Sequence, residues 1–286
     1  MDGFLIIDKE KGYTSFDVCN KIKHKFYNSH VGHTGTLDPN ATGVLVVAVG
    51  KACKTLNMLE EKNKKYLCEI EFGVSYDTID PCGKVLSESN KIVRLEDINK
   101  AIDILKAQTK QLPPKYSALK VNGKRAYDLA RSGKDFELKM RDIKVESIEI
   151  VSDLVKKDNR YYMSIELVVS KGYYVRSFVR DLAQILEVDA NMYNLRRLSS
   201  GIFDIKNSKK IDDITENDFI SISEAFSYLD RIEFRPYLEN MIKSGVMLDE
   251  RNVKTHKPFV ACVNNKEIAI YNITDEEYKY KFEAFI

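Results

Sequence analysis

The amino-acid sequence predicts an α+β fold built on a mainly antiparallel, mixed central sheet with flanking helices. Three observations carry that expectation. Strand-type and helix-type runs alternate without the regular strand–helix–strand rhythm of parallel sheets. Tyr66 to Val74 alternates apolar and polar residues, as a half-buried strand does. Asn122-Gly123 supplies a two-residue hairpin turn, in which both central residues take positive φ.

The elements follow in order. Gly3 to Asp8 reads as a buried first strand. Thr14-Ser15 caps a helix running to about Phe26, because their hydroxyls can accept from the first free backbone N–H groups. Phe16, Cys19, Ile22 and Phe26 are expected on its apolar side. Val31 to Gly43 reads as a glycine-rich loop, Val44 to Val49 as an apolar strand, and Lys51 to Leu59 as a short helix. Leu95 to Ala107 has helical spacing, and a helix from Ala126 to Ser132 follows the Asn-Gly turn. Ile143 to Val151 and Tyr161 to Val169 read as strands, Tyr174 to Leu186 as a helix, and Tyr193 to Ile205 as a late strand. Past about Asp230 the character changes. A helix over Phe234 to Gly245 and strands at Pro258 to Val263 and Glu267 to Tyr271 suggest a small β-rich appendage, dividing the chain into 1–230 and 231–286.

At 286 residues, 44% hydrophobic and 31% charged, the composition is that of a globular chain with a real core. No run approaches the roughly 18 apolar residues of a membrane span. The acidic second residue and short apolar run of MDGFLIIDKEKG make a poor secretory signal. Five widely spaced cysteines without a CxxC pair, and four histidines that complete no ligand pattern with them, point to free thiols and no metal. Charge is uneven. Leu105 to Lys134 holds eight Lys or Arg against one Asp, whereas Ile211 to Glu250 holds ten acidic residues against three basic. A basic face for a polyanion is the corresponding expectation.

The densest chemical signal is Gly32-His33-Thr34-Gly35-Thr36-Leu37-Asp38-Pro39, continuing through Ala41-Thr42-Gly43. Glycines flank one carboxylate, and the following proline disfavours helix at Asp38. Such a loop can hold a carboxylate beside backbone that a ligand approaches. It equally suits an ordinary Asp-Pro turn. It is not a phosphate loop, lacking the GxxxxGK[ST] spacing.

GHTGTLDPNATGVL closely resembles the signature of the TruB family of pseudouridine synthases. Four other stretches match in order: GFLIIDKEKGYTS; Lys64-Lys65-Tyr66 with Gly73 through Gly83; Gln111 to Arg131; and SKGYYVRSFVRDLA with NLRRLSSG. Together they span Gly3 to about Gly201. The resemblance implies a pseudouridine synthase fold with a small PUA-like C-terminal appendage. It implies an enzyme without cofactor or metal that turns uridine 55 in the TΨC stem-loop of tRNA into its C-glycoside after flipping it out. Asp38 matches the catalytic aspartate, acting either on C1′ or through removal of the 2′ proton. Arg176 matches the arginine that pairs with it and fixes its direction. Tyr66 fits the residue that stacks on the target base, His33 a wedge in the opened loop, Tyr174 and Leu195 the lining of the uracil pocket. Lys9 fits a support of the catalytic loop or an RNA contact. Lys115, Lys120, Lys124, Arg125 and Arg131 then gain phosphates to bind.

The sequence departs from the family pattern at Glu10, where proline is usual, and at Leu105 to Thr109. The C-terminal portion is short, and only weakly reminiscent of a PUA domain. A cytoplasmic monomer is expected. The competing reading is a tRNA chaperone in which catalysis is secondary. A guide-dependent pseudouridylase is disfavoured by the short C-terminus, and a glycosidase by the single carboxylate.

Overall fold

The computed structural model describes residues 2–60 and 63–286. Among the described residues, seven of the nine strands of its principal sheet are β1 (Gly3–Lys9), β2 (Val31–Thr34), β3 (Thr42–Val49), β4 (Lys64–Phe72), β5 (Val145–Ile150), β6 (Arg160–Val169) and β7 (Ala190–Ser200). The path runs β1–β3–β7–β4–β6–β5, with β2 also on β3. The contact of β7 with β3 is parallel, and the other pairings along the path are antiparallel.

The run Val44 to Val49 is apolar throughout because β3 is buried on both faces. Leu45, Val47 and Val49 join the larger core with Leu5, Ile7 and α1 (Ser15–Lys25), α2 (Leu95–Lys106) and α3 (Val175–Leu186). Val44, Val46 and Ala48 turn to the opposite face, where Phe4, Ile6, Phe203 and Phe226 pack. β4 alternates as expected, with Tyr66, Cys68, Ile70 and Phe72 in the larger core.

Several expectations change. Val31 to Thr34 is a strand, because its backbone pairs with Val46 to Val49 although glycine and histidine carry little strand signal. Phe16 is 68% exposed, since α1 turns Ser15, Val18, Cys19 and Ile22 inward. The late strand is Ala190–Ser200, followed by a turn and the short Phe203–Asp204. The expected helix over 234–245 shortens to Glu239–Lys243 after a 3₁₀ turn at Pro236–Leu238. The preceding residues form β8 (Asp230–Phe234), which joins β9 (Phe259–Val263), β10 (Lys266–Ile273) and β11 (Tyr280–Phe285) in a second sheet. Val260, Cys262 and Ile270 of that sheet pack into the core beneath β1 and β3.

Candidate active site

The site grows out of a fork in the sheet. β1 pairs along one whole edge of β3, so the other edge is shared: β2 takes Val46 to Val49, and β7 takes Thr42 and Gly43. The chain linking β2 to β3, residues 35–41, is expelled at the fork. Gly43 has φ +97°, and a Cβ there would collide with the backbone of Arg197. Only glycine lets β3 and β7 approach this closely.

Asp38 sits between two anchored neighbours. The Leu37 N–H donates to Ser15 Oγ at 3.0 Å, at the start of α1. The Pro39 carbonyl accepts from Gly12 N at 2.9 Å and from Lys9 Nζ at 3.1 Å. The Asp38 carboxylate, 33% exposed, is gripped by a two-point fork: Arg176 Nε lies 2.8 Å from Oδ2, and Nη2 donates to Oδ1 at 3.0 Å. Arg176 is in the first turn of α3 and almost fully buried. Its Nη2 also donates to Tyr116 O at 2.9 Å and Nη1 to Thr78 O at 3.3 Å. One guanidinium therefore joins four separated segments of the chain.

Beside this pair lies a cleft of about 300 Å³. Asp38, Tyr66, Tyr174, Arg176 and Leu195 all line it, so five of the seven expected site residues converge. Tyr66 and Leu195 sit on β4 and β7. Tyr174 is held at the head of α3 by Gln111, whose amide accepts from Tyr174 N at 2.9 Å and donates to Tyr174 O at 3.2 Å. Burial pushes the Tyr174 phenol pKa up, keeping it a proton donor at neutral pH. Among the described residues, no cluster of His, Cys, Asp or Glu is arranged to hold a metal ion.

Two expected residues stand apart. His33 is half-buried in β2 opposite Val47, on the strand leading into the loop and outside the cleft wall. Lys9, expected either to support the catalytic loop or to contact RNA, does not line the cleft. It is 0% exposed, and its ammonium donates to the carbonyls of Glu10, Tyr13 and Pro39. Its place is under the loop, as a staple. The reading from residues alone missed Lys64, Gln111 and Arg197. Leu195 and Arg197 stand two apart on one strand, a spacing that would have placed Arg197 beside the pocket.

Burial lowers the Lys9 pKa to about 8, only partly opposed by Asp38. The unfolded chain keeps this proton to about pH 10.5 and the folded chain to about 8, so charged Lys9 opposes folding below pH 8. The penalty is about 3 kcal/mol and fades as pH rises from 8 to 10.5. Relative to Lys9→Met, the wild-type chain is expected to gain about 2 kcal/mol between pH 7 and 9.5 in urea unfolding. A flat difference would mean that Lys9 stays protonated throughout.

The fold has solved counterparts. The chain superimposes on a solved Cbf5-Nop10-Gar1 complex with a TM-score of 0.72 at 20% identity, over 99% of this chain and 83% of that one. An H/ACA RNP bound to a substrate RNA containing 2′-deoxyuridine gives 0.69 at 19% identity, with the same coverage. Both likenesses are of fold. Sequence supplies the family. Residues 23–175 match the TruB family pseudouridylate synthase (N terminal domain). The tRNA pseudouridine synthase B of Onion yellows phytoplasma (strain OY-M) is 36% identical, with 98% of each chain covered. That of Acholeplasma laidlawii (strain PG-8A) is 34% identical over 99% of each. The chain belongs to the TruB family of pseudouridylate synthases.

Proposed function

We propose that this chain isomerises uridine to pseudouridine in tRNA, at position 55 of the TΨC stem-loop, with Asp38 as the catalytic carboxylate. The observation that carries the reading is the two-point Asp38–Arg176 pair at the edge of a cleft shared with Tyr66 and Leu195. The reaction breaks the N1–C1′ bond, turns the detached base and joins C5 to C1′. Arg176 occupies one side of each Asp38 oxygen, and each oxygen keeps a further lone pair for work at the sugar. Asp38 acts either by attacking C1′ or by removing the 2′ proton. Tyr66 offers a ring for the flipped base, a contact of about 1–3 kcal/mol for stacked aromatics. The cleft's volume lies at the lower end of small-ligand sites, which suits one extruded nucleotide.

Outside the cleft, Lys115, Lys120, Lys124, Arg125 and Arg131 are all exposed, as phosphate contacts require. Tyr127 lies within 5.9 Å of the Arg125 guanidinium and 5.7 Å of that of Arg131. His33 is assigned the gap left by the extruded base. The reaction is assigned to residues 1–230, with 231–286 a PUA-like appendage. No helix among the described residues is long and apolar enough to cross a membrane, and a cytoplasmic monomer acting on tRNA fits this reading. Purified protein, unmodified tRNA and no added metal or nucleotide should yield one pseudouridine in the TΨC loop, detected by mass spectrometry after pseudouridine-specific carbodiimide derivatisation, since the isomer has the mass of uridine. Modification confined to another uridine would overturn the substrate assignment.

A further inference from the structure

Four cations lie in or under the wall around the Asp38 loop: Lys9, Lys64, Arg176 and Arg197. Burying such groups is costly unless each finds a partner. Arg176 has Asp38, and Lys9 has three carbonyls. Arg197 is less well served. It is 1% exposed, its Nε donates to Val44 O at 2.6 Å, and its Nη2 is buried with no hydrogen-bond partner among the described residues. No carboxylate pairs with it there.

Its position is defined by register. Arg197 stands opposite Tyr66 on β4 and opposite Gly43 on β3, at the fork itself. Its guanidinium runs under the loop, with Nη1 3.0 Å from where a Cβ on Gly35 would lie. Gly35 has φ +69°, a conformation that L side chains rarely adopt, and the absent Cβ lets the guanidinium come this close. The cation thus fills the space between the strand junction and the loop that carries Asp38, beside the proposed stacking ring.

The proposed reaction gives that charge a use. However C1′ is held, the electron pair of the N1–C1′ bond leaves with the base. The detached uracil is an anion, its charge shared by N1, O2 and O4, until C5 bonds to C1′; C5 then gives up its proton and N1 takes one up, leaving neutral pseudouridine. A fixed cation in a water-poor wall favours such an anion without reorganising when it forms.

We propose that Arg197 is a positioning residue for this isomerisation: a buried guanidinium without a carboxylate partner that props the Asp38 loop at Gly35 and keeps the Tyr66 side of the cleft positive for the uracil anion released there. The inference rests on the proposed function, and a wild-type control separates the two: a wild-type protein that forms no pseudouridine sinks the function itself.

The test uses the full chain, unmodified tRNA and two variants, Arg197→Met and Arg197→Lys, with thermal melting as the folding control. Both are expected to bind tRNA within about threefold of wild type, while Arg197→Met slows single-turnover isomerisation about 100-fold. Arg197→Lys should recover about tenfold of that loss at pH 7 and forfeit it toward pH 9, because a buried lysine among other cations releases its proton earlier than a guanidinium does. Arg197→Met turning over at the wild-type rate would overturn the proposal, as would a slowing matched by equal loss of binding. If Arg197→Met does not fold, the rate–pH profile of Arg197→Lys decides: a profile parallel to wild type overturns the charge-based role.

Discussion

Asp38→Asn is expected to abolish pseudouridine formation, by at least about 10⁴-fold in single-turnover rate, while tRNA binding stays within about threefold. The amide keeps the shape of the side chain, and Leu37 and Pro39 remain tied to Ser15, Gly12 and Lys9 through backbone groups that the substitution does not touch. It removes the charge that either role at the sugar requires. The measurement is pseudouridine yield against time, alongside a filter-binding isotherm on the same preparation. Retained turnover would remove Asp38 from the mechanism. Lost binding by a folded variant would favour the tRNA-chaperone reading, in which the loop serves recognition.

Arg176→Met should be nearly as damaging to catalysis, with a lasting cost to stability. The guanidinium satisfies both Asp38 oxygens and the carbonyls of Thr78 and Tyr116 at once. Its loss leaves Asp38 unsteered and buried acceptors unpaired. A rate loss of about 10²–10³-fold is expected. Breaking a buried ion pair typically costs about 3–5 kcal/mol, and the one-third exposure of Asp38 lowers the expectation to about 2 kcal/mol. Arg176→Lys should rescue little, because a single ammonium cannot reproduce a planar fork that serves four acceptors. Rate and urea midpoint together check this. A Lys variant within threefold of wild type would show that charge alone suffices.

The Lys9 staple and the Arg197 side chain place two cations beneath the loop, out of solvent. Both illustrate how the reading from residues fell short. Lysines and arginines default to the surface, so Lys9 was left between supporting the loop and touching RNA, and Arg197 was quoted inside a motif without a role. Burial is a property of the assembled sheet. Phe16 failed in the opposite direction: helical spacing put it on the apolar side of α1, but the register of α1 on the sheet turns it outward.

By itself, the sequence determined the local matters: the apolar β3 run, the alternation of β4, the limits of α2 and α3, and the glycine-flanked loop around Asp38. These depend on side-chain period, capping and backbone freedom, which neighbouring residues settle among themselves. Resemblance in ordered motifs named the partners Tyr66, Tyr174, Arg176 and Leu195 without distances. Only the tertiary structure decided that β2 and β7 divide one edge of β3 and expel the loop, and that the Asp38–Arg176 pair is a two-point fork at 2.8 and 3.0 Å. It also decided that β9 and β10 pack beneath the principal sheet. Strand pairing and burial join segments far apart in the chain, and no local preference encodes which distant partner a strand or a charge will find.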